Sequence, residues 1–272
     1  MPIKSIISLS FDDGHLDNYT TALPILKQYD LAATFNIAAS YVLGDETARR
    51  NIRFEEPMTA QMVNKIAQSP NFEIAGHGDM HNYTREDMFA WKEKLKAIIG
   101  KSDAEPLYQT PHGGGMGFAV PGTAIDTKDK QILQQLIDYG ITYTRVSIRY
   151  KSQAGFKTFL RKLSRVIPLP QLYAWAYADT TLTEADRGIN LLPSVPVLKQ
   201  TSFAQLKALI DLAISRGAHL IIMLHSIKQV PEHNWSFATS EFERLCTYLA
   251  QQKAQGSIDV LPTMDLYNIA LR

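Results

Sequence analysis

Short apolar runs alternate along the chain with longer stretches whose apolar residues recur at helical spacing. Ile6, Ile7, Leu9 and Phe11 make the first run, and Leu16, Tyr19, Leu23, Ile25, Leu26 and Tyr29 follow as one side of a helix. The pattern then repeats. Residues 31–38 read as a second strand, and Thr59 caps a helix to about Gln68 that carries Met62, Val63 and Ile66. Residues 72–75 form a third strand. Thr84 and Asp87 resemble a capping box ahead of a long helix to about Gly100. Residues 107–110 read as a fourth strand, and a helix over about 128–139 leads to a fifth, 141–148. Further on, Thr201 caps a helix ending at Gly217, 219–224 is a strand, and about 240–251 is a helix. A strand at 258–261 and a short helix close the chain. The charged residues 44–57 read as a surface loop. Residues 150–200, basic between 151 and 165 and punctuated by prolines, read as an elaborated rim of short elements.

Strands alternating with helices predict parallel pairing inside and helices outside. The expected fold is therefore α/β, a single distorted (β/α) barrel of about seven strands, TIM-barrel-like. No internal repeat or flexible linker divides the chain, so 1–272 reads as one domain. In such barrels the chemistry sits at the C-terminal strand ends. Asp12, Asp13, His77, the Pro111 loop and His225 all fall at expected strand ends.

Composition narrows this picture. With 28 basic and 27 acidic residues, the charge balance argues against a nucleic-acid groove or a membrane-surface patch. The one cysteine, Cys246, excludes an internal disulfide and reads as a core thiol. No apolar run approaches the roughly 18 residues a membrane helix needs. The N-terminus enters the first strand at once and leaves no room for a signal peptide, which points to the cytoplasm.

The candidate chemistry starts at Ser10-Phe11-Asp12-Asp13-Gly14. Asp-Gly after a strand is also a hairpin signal, but the helical pattern beyond Gly14 argues against a hairpin. Adjacent strand residues face opposite ways, so one carboxylate can bind a metal while the other faces a reacting group. His77 and His81, one helical turn apart, can reach one ion. With a carboxylate from another strand end they would form a two-His, one-carboxylate set with open positions. An ion held so lowers the pKa of bound water to about 7 and polarises a carbonyl. The run Pro111-His112-Gly113-Gly114-Gly115 lacks the Lys-Ser/Thr of a phosphate-binding loop.

Ser10-Phe11-Asp12-Asp13-Gly14 resembles the first motif of the polysaccharide deacetylase, or NodB-homology, family of carbohydrate esterases. His77-Gly78-Asp79-Met80-His81 is similar to its second, His-Ser/Thr-x-x-His, and Ile221-x-Met223-x-His225 to its last, Leu-x-Leu-x-His. The resemblance implies that Asp13, His77 and His81 bind one divalent ion, zinc foremost, with cobalt or nickel as alternatives. It implies Asp12 as general base and His225 as general acid in removing N-acetyl groups from a carbohydrate. The oxyanion would be stabilised by the metal and a backbone N–H near Pro111.

Two motifs depart from the family. Its Arg-x-Pro-x-Gly corresponds to Gln109-Thr110-Pro111-His112-Gly113, without the arginine. Arg145, near the end of the fifth strand, is the candidate to supply that cation. Trp175 is the candidate for the tryptophan that walls the pocket, and Trp235 reads as packing. His15 and His112 adjoin motif residues and could contact substrate, although exposed loop histidines are the simpler reading. The missing export signal favours a soluble intracellular sugar or oligosaccharide over assembled cell wall. The rival readings are a deacylase of an O-acetyl ester or a non-sugar amide, allantoinase-like, and a non-catalytic barrel that keeps the metal and binds glycan. Neither nucleic acid nor membrane is expected as a partner, and the sequence carries no signature of oligomeric state.

Overall fold

The computed structural model describes residues 4–53, 55–102, 104–123, 129–148 and 155–272. The expected N-terminal entry at 1–3, the helix start at Lys128 and part of the basic stretch, 151–154, lie outside the described residues. In chain order the first half runs β1 (Ser5–Phe11), α1 (Leu23–Gln28), β2 (Ala33–Ile37), α2 (Ala39–Val42), α3 (Glu46–Ile52), α4 (Ala60–Ala67), β3 (Phe72–Gly76), α5 (Arg85–Phe89) and α6 (Lys92–Ile99). Next come β4 (Tyr108–Thr110), β5 (Gly113–Gly115), β6 (Gly117–Ala119), α7 (Lys130–Asp138), β7 (Tyr143–Val146), α8 (Gly155–Val166) and α9 (Pro170–Tyr177). The last part is β8 (Leu191–Pro193), β9 (Val195–Pro196), α10 (Phe203–Ser215), β10 (Leu220–Leu224), β11 (Ser226–Lys228), β12 (Ser236–Ala238), α11 (Thr239–Ala254), β13 (Ile258–Val260) and α12 (Thr263–Leu266).

The main sheet is parallel and ordered β8-β7-β6-β3-β2-β1-β10-β9. Its two ends, β8 and β9, are separated in the chain by Ser194 alone. One extended segment therefore pairs with β7 through Leu191–Pro193 and with β10 through Val195–Pro196. That segment closes the sheet into a distorted (β/α) barrel whose staves are β1, β2, β3, β6, β7, β8 with β9, and β10. Ile7 is matched to both Leu220 and Val260, so β13 takes the lower part of the β1 edge that β2 takes above.

Strand alternation sorts the side chains into two sets. From β1, Ile7, Leu9 and Phe11 face outward into the apolar layer beneath the helices, where Phe11 stacks on Phe35 at 5.2 Å between ring centroids. Each such fully buried side chain contributes about 1.5–3 kcal/mol. Ile6, Ser8, Ser10 and Asp12 face the barrel interior, where polar side chains stand beside an apolar cluster that includes Ile6, Leu192 and Ile221. There Thr263 Oγ1 bonds Ser8 at 2.9 Å, and Glu73 accepts from Thr34 and Tyr143, both at 2.8 Å. Among the described residues no helix is long and apolar enough to cross a membrane.

Several expectations are corrected. Residues 107–110 do not supply a barrel strand: β4 forms an antiparallel hairpin with β5. Tyr108 donates to the carbonyl of Pro70, just before β3, at 2.9 Å, and Thr110 lies 2.5 Å from Asp265. Pro111 and His112 thus sit by the N-terminal strand ends, away from Asp12 and His77. The fourth stave is instead β6, a Gly-Phe-Ala strand with no β-branched residue to mark it. Gly117 is required there, because a Cβ would lie 2.4 Å from the Tyr143 hydroxyl.

The helix expected from Thr84 to Gly100 is two helices, α5 and α6, broken between Phe89 and Lys92. The loop expected at 44–57 contains α3, capped by the Asp45 carboxylate on the N–H groups of Thr47 and Ala48. Ser202, rather than Thr201, caps α10, in a capping box with Gln205.

Candidate metal and active site

β1 delivers the first two acids. Asp12 continues the inward parity of Ser8 and Ser10, and its N–H donates to the Leu224 carbonyl at 2.8 Å. The chain then turns sharply, with Asp13 at φ 75° and Gly14 at φ 93°. A Cβ at Gly14 would lie 3.0 Å from Val42, so glycine answers both the backbone angle and the crowding.

His77 follows β3, and its Nδ1 lies 2.9 Å from the Ala119 carbonyl. A carbonyl only accepts, so Nδ1 carries the proton and Nε2 presents a lone pair. His81 reaches the same point by a different path from the expected helical turn. Residues 77–84 are irregular, with Gly78 at φ 78° and His81 at φ 56°. Asp87 organises this loop by accepting from the N–H of Met80 at 2.6 Å, the use its carboxylate finds in place of a reciprocal capping box.

The Nε2 atoms of His77 and His81 lie 3.2 and 3.3 Å from Asp13 Oδ1, a buried oxygen with no hydrogen-bond donor among the described residues. The three ligand atoms all fall within 4.8 Å of one another. Two imidazole lone pairs and an orphaned carboxylate oxygen facing one point fit a divalent cation. Burial alone would raise the Asp13 carboxyl, but His81, His15 and His77 around it hold it well below the usual carboxylate range.

Asp12 stands beside this cluster. Arg145 Nη2 bridges its two oxygens at 2.6 and 2.5 Å, the Asn36 amide donates to it at 2.9 Å, and Arg145 Nη1 donates to Ser194 at 3.0 Å. His225, next after β10, shares the inward parity of Ile221 and Met223. Its Nε2 is 3.8 Å from Asp12 Oδ2, and its ring lies 4.7 Å from that of Trp235. Burial pushes its imidazole down to about 4, against the pull of Asp13 and Asp12.

Asp12, Asp13, His77, His81 and His225 line a cavity of about 520 Å³ whose rim includes Arg53, Asn82, Tyr83, Val120, Gly122 and Trp235. Asp12, Asp13, His77, His81, Arg145 and His225 are brought together; Pro111, His112 and Trp175 are not. Trp175 lies on α9 on the outside of the barrel, half exposed and edge-on to Phe156. Trp235 is the tryptophan at the pocket. The proline–glycine pair after a barrel strand is Pro121-Gly122, in Phe118-Ala119-Val120-Pro121-Gly122, an apolar run ending in a turn that could have been read as a strand end.

His15 is not an exposed loop histidine. It is buried, with Nε2 3.0 Å from Asp13 Oδ2 and Nδ1 3.3 Å from the Tyr41 hydroxyl. Tyr41 spends its own proton on the Glu55 carbonyl at 2.7 Å. Both ring nitrogens of His15 therefore face acceptors; burial lowers its pKa, but the bond to Asp13 together with the negative charges of Asp13, Asp17 and Glu55 raises it overall.

The family model for polysaccharide deacetylase matches residues 2–144, which include Asp12, Asp13, His77 and His81. No curated protein matches the chain. Among solved structures, the Bc1960 peptidoglycan N-acetylglucosamine deacetylase is similar at 14% identity and a TM-score of 0.52, over 100% of this chain and 92% of that one. A family 4 carbohydrate esterase from Streptomyces lividans is 14% identical, with a TM-score of 0.45, over 94% and 91%. The BpsB deacetylase domain from Bordetella bronchiseptica is 16% identical, with a TM-score of 0.39, over 52% of this chain, which spans 63% of that domain. The Bc1960 likeness speaks to the barrel fold. With the family match covering more than half of its length, the chain belongs to the polysaccharide deacetylase family of carbohydrate esterases.

Proposed function

We propose that this protein is a metal-dependent deacetylase that hydrolyses N-acetyl groups of a sugar or polysaccharide. The observation that carries the reading is the convergence of Asp13 Oδ1, His77 Nε2 and His81 Nε2 beside an Asp12 that lies between Arg145 and His225. Asp13, His77 and His81 would hold one divalent ion, with zinc the best match to this donor set and cobalt or nickel as substitutes. Such an ion, when bound, acidifies water and polarises the acetyl carbonyl.

The chain's own residues do the rest. Arg145 and Asn36 fix the Asp12 carboxylate in one orientation, as a base requires. Asp12 takes a proton from the attacking water. His225 is neutral at rest, so the proton it hands to the leaving nitrogen is one received from Asp12 across 3.8 Å. His77, held by the Ala119 carbonyl, keeps its lone pair aimed inward. Trp235 and Tyr83, both partly exposed at the rim, offer aromatic faces to a sugar ring. The barrel staves share one sheet, which supports reading 1–272 as a single deacetylase domain.

Acetate release from small N-acetylated and O-acetylated sugars tests the reading. The protein is assayed after metal stripping and again after adding zinc, cobalt or nickel. Release that needs metal and is lost in Asp12→Asn, with metal still bound, is the expected result. No release from any N-acetylated sugar by the fully metallated protein overturns it.

A further inference from the structure

Between Asp138 and Asp179 the chain carries no acidic residue, while α8 alone holds Lys157, Arg161, Lys162 and Arg165. The near-zero net charge averages this stretch with acidic ones elsewhere, and so hides it. α8 turns Leu160, Arg161 and Ser164 inward, where Arg161 binds Asp179 at 2.7 Å. On another side of the same helix Phe156, Phe159 and Val166 are 61%, 57% and 81% exposed. At 3.6 residues per turn, Phe159, Lys162 and Val166 lie within about 60° of one another around the axis. Lys162 has no acidic partner among the described residues. Trp175 of α9 extends the apolar stripe, its ring 6.1 Å from that of Phe156, and Ile167 and Leu169 continue it past the helix end. Over half of the large apolar side chains exposed by the described residues fall within 156–175.

We propose that this face of α8, with Trp175 and the turn after Val166, docks on an anionic lipid bilayer. Aromatic and aliphatic side chains beside lysines, with the nearby acids already engaged (Asp179 by Arg161, Asp211 by Lys207), are the composition of helices that lie in the interface plane. Lys157 Nζ sits 5.2 Å over the Trp175 ring, which lets the ring enter the headgroup layer while the amine stays among lipid phosphates. A second copy of the chain is disfavoured as occupant, because face-to-face pairing would set this basic surface against itself. Residues of this face take no part in lining the catalytic cavity, so a docked molecule keeps its pocket open.

Co-sedimentation with vesicles tests the proposal without using activity, so its failure is separate from failure of the deacetylase reading. Vesicles of phosphatidylcholine with about a third phosphatidylserine are compared with phosphatidylcholine alone. The expected result is binding to the anionic vesicles only, lost in high salt. Lys162→Glu, at an exposed position, weakens it roughly tenfold or more. Phe156→Ser with Phe159→Ser abolishes it while circular dichroism and melting stay as in the wild type. Absence of binding to anionic vesicles, or equal binding to neutral ones, overturns the proposal. So does a dimer in solution that Phe159→Ser dissociates without any vesicle binding.

Discussion

Replacing Arg145 by methionine removes a buried charge while keeping much of its volume. The arginine is 1% exposed, and one guanidinium nitrogen spans both Asp12 oxygens at 2.6 and 2.5 Å. Without it, the Asn36 amide at 2.9 Å is the donor left to Asp12 among the described side chains, and it is neutral. Breaking a buried ion pair from one side costs about 3–5 kcal/mol, because the surviving charge stays in a medium that solvates it poorly. With an m-value of about 3 kcal/mol/M, the urea midpoint of Arg145→Met falls by about 1–1.7 M. Introducing Asp12→Asn as well removes the stranded charge, so the double variant recovers most of the loss. The resulting coupling energy is on the order of 2–3 kcal/mol. Urea unfolding followed by circular dichroism in the presence of chelator isolates this effect from metal binding. Acetate release by Arg145→Met is expected to fall on the order of 100-fold, since the base loses its fixed orientation. A cost below about 1 kcal/mol, the range of an exposed pair, would refute the reasoning. An equal cost in the wild-type and Asp12→Asn backgrounds would refute it too.

Two further outcomes follow from the same geometry. Burial pushes the Glu73 carboxyl up to about 7 despite donors from Met264 N–H, Tyr143 and Thr34. The folded protein keeps this proton while the unfolded chain releases it, so stability falls as pH rises from 4.5 through about 7. The loss amounts to about 3 kcal/mol at most, and Glu73→Gln should flatten that slope in urea midpoints measured across the window; an unchanged slope rules the account out. Zinc added to metal-stripped protein should raise the melting temperature by several degrees, and Asp13→Asn or His77→Ala should erase the rise. A rise of the same size in either variant would place the ion elsewhere.

The barrel and the centre of its site were legible because strand parity is local. Apolar Ile7, Leu9 and Phe11 alternate with Ser8, Ser10 and Asp12, so the strand itself says which acid points inward. Parity also puts His225 on the side of Ile221 and Met223, although β10 is apolar on both faces and its own pattern does not say which is inward. What misled was any choice between similar candidates far apart in the chain. Pro111 and Pro121 both come just after a short strand and just before a glycine, Gly113 and Gly122, yet β6 is placed by pairing with β3 and β7, through contacts that no local pattern records. Trp175 and Trp235 are equally aromatic, and only helix packing decides that one faces solvent and the other the pocket. His15 reads as a loop residue until Tyr41, from α2, covers it. The charge run on α8 was visible in the sequence, but net charge averaged it away, and only folding shows that Arg161 turns inward to Asp179 while Lys162 stays exposed.

By itself, then, the sequence determined the α/β alternation, the placing of Asp12, Asp13, His77 and His225 at strand ends and, through the family resemblance, Asp13, His77 and His81 as a candidate ligand set. The tertiary structure alone decided that Leu191–Pro196 closes the barrel, that the candidate Arg145 reaches Asp12, and that Val120, Gly122 and Trp235 line the cavity while Pro111 and Trp175 do not. The reason is one of range. Side-chain alternation is imposed within a few residues by backbone geometry, whereas ring closure and loop convergence depend on pairings between strands dozens of residues apart.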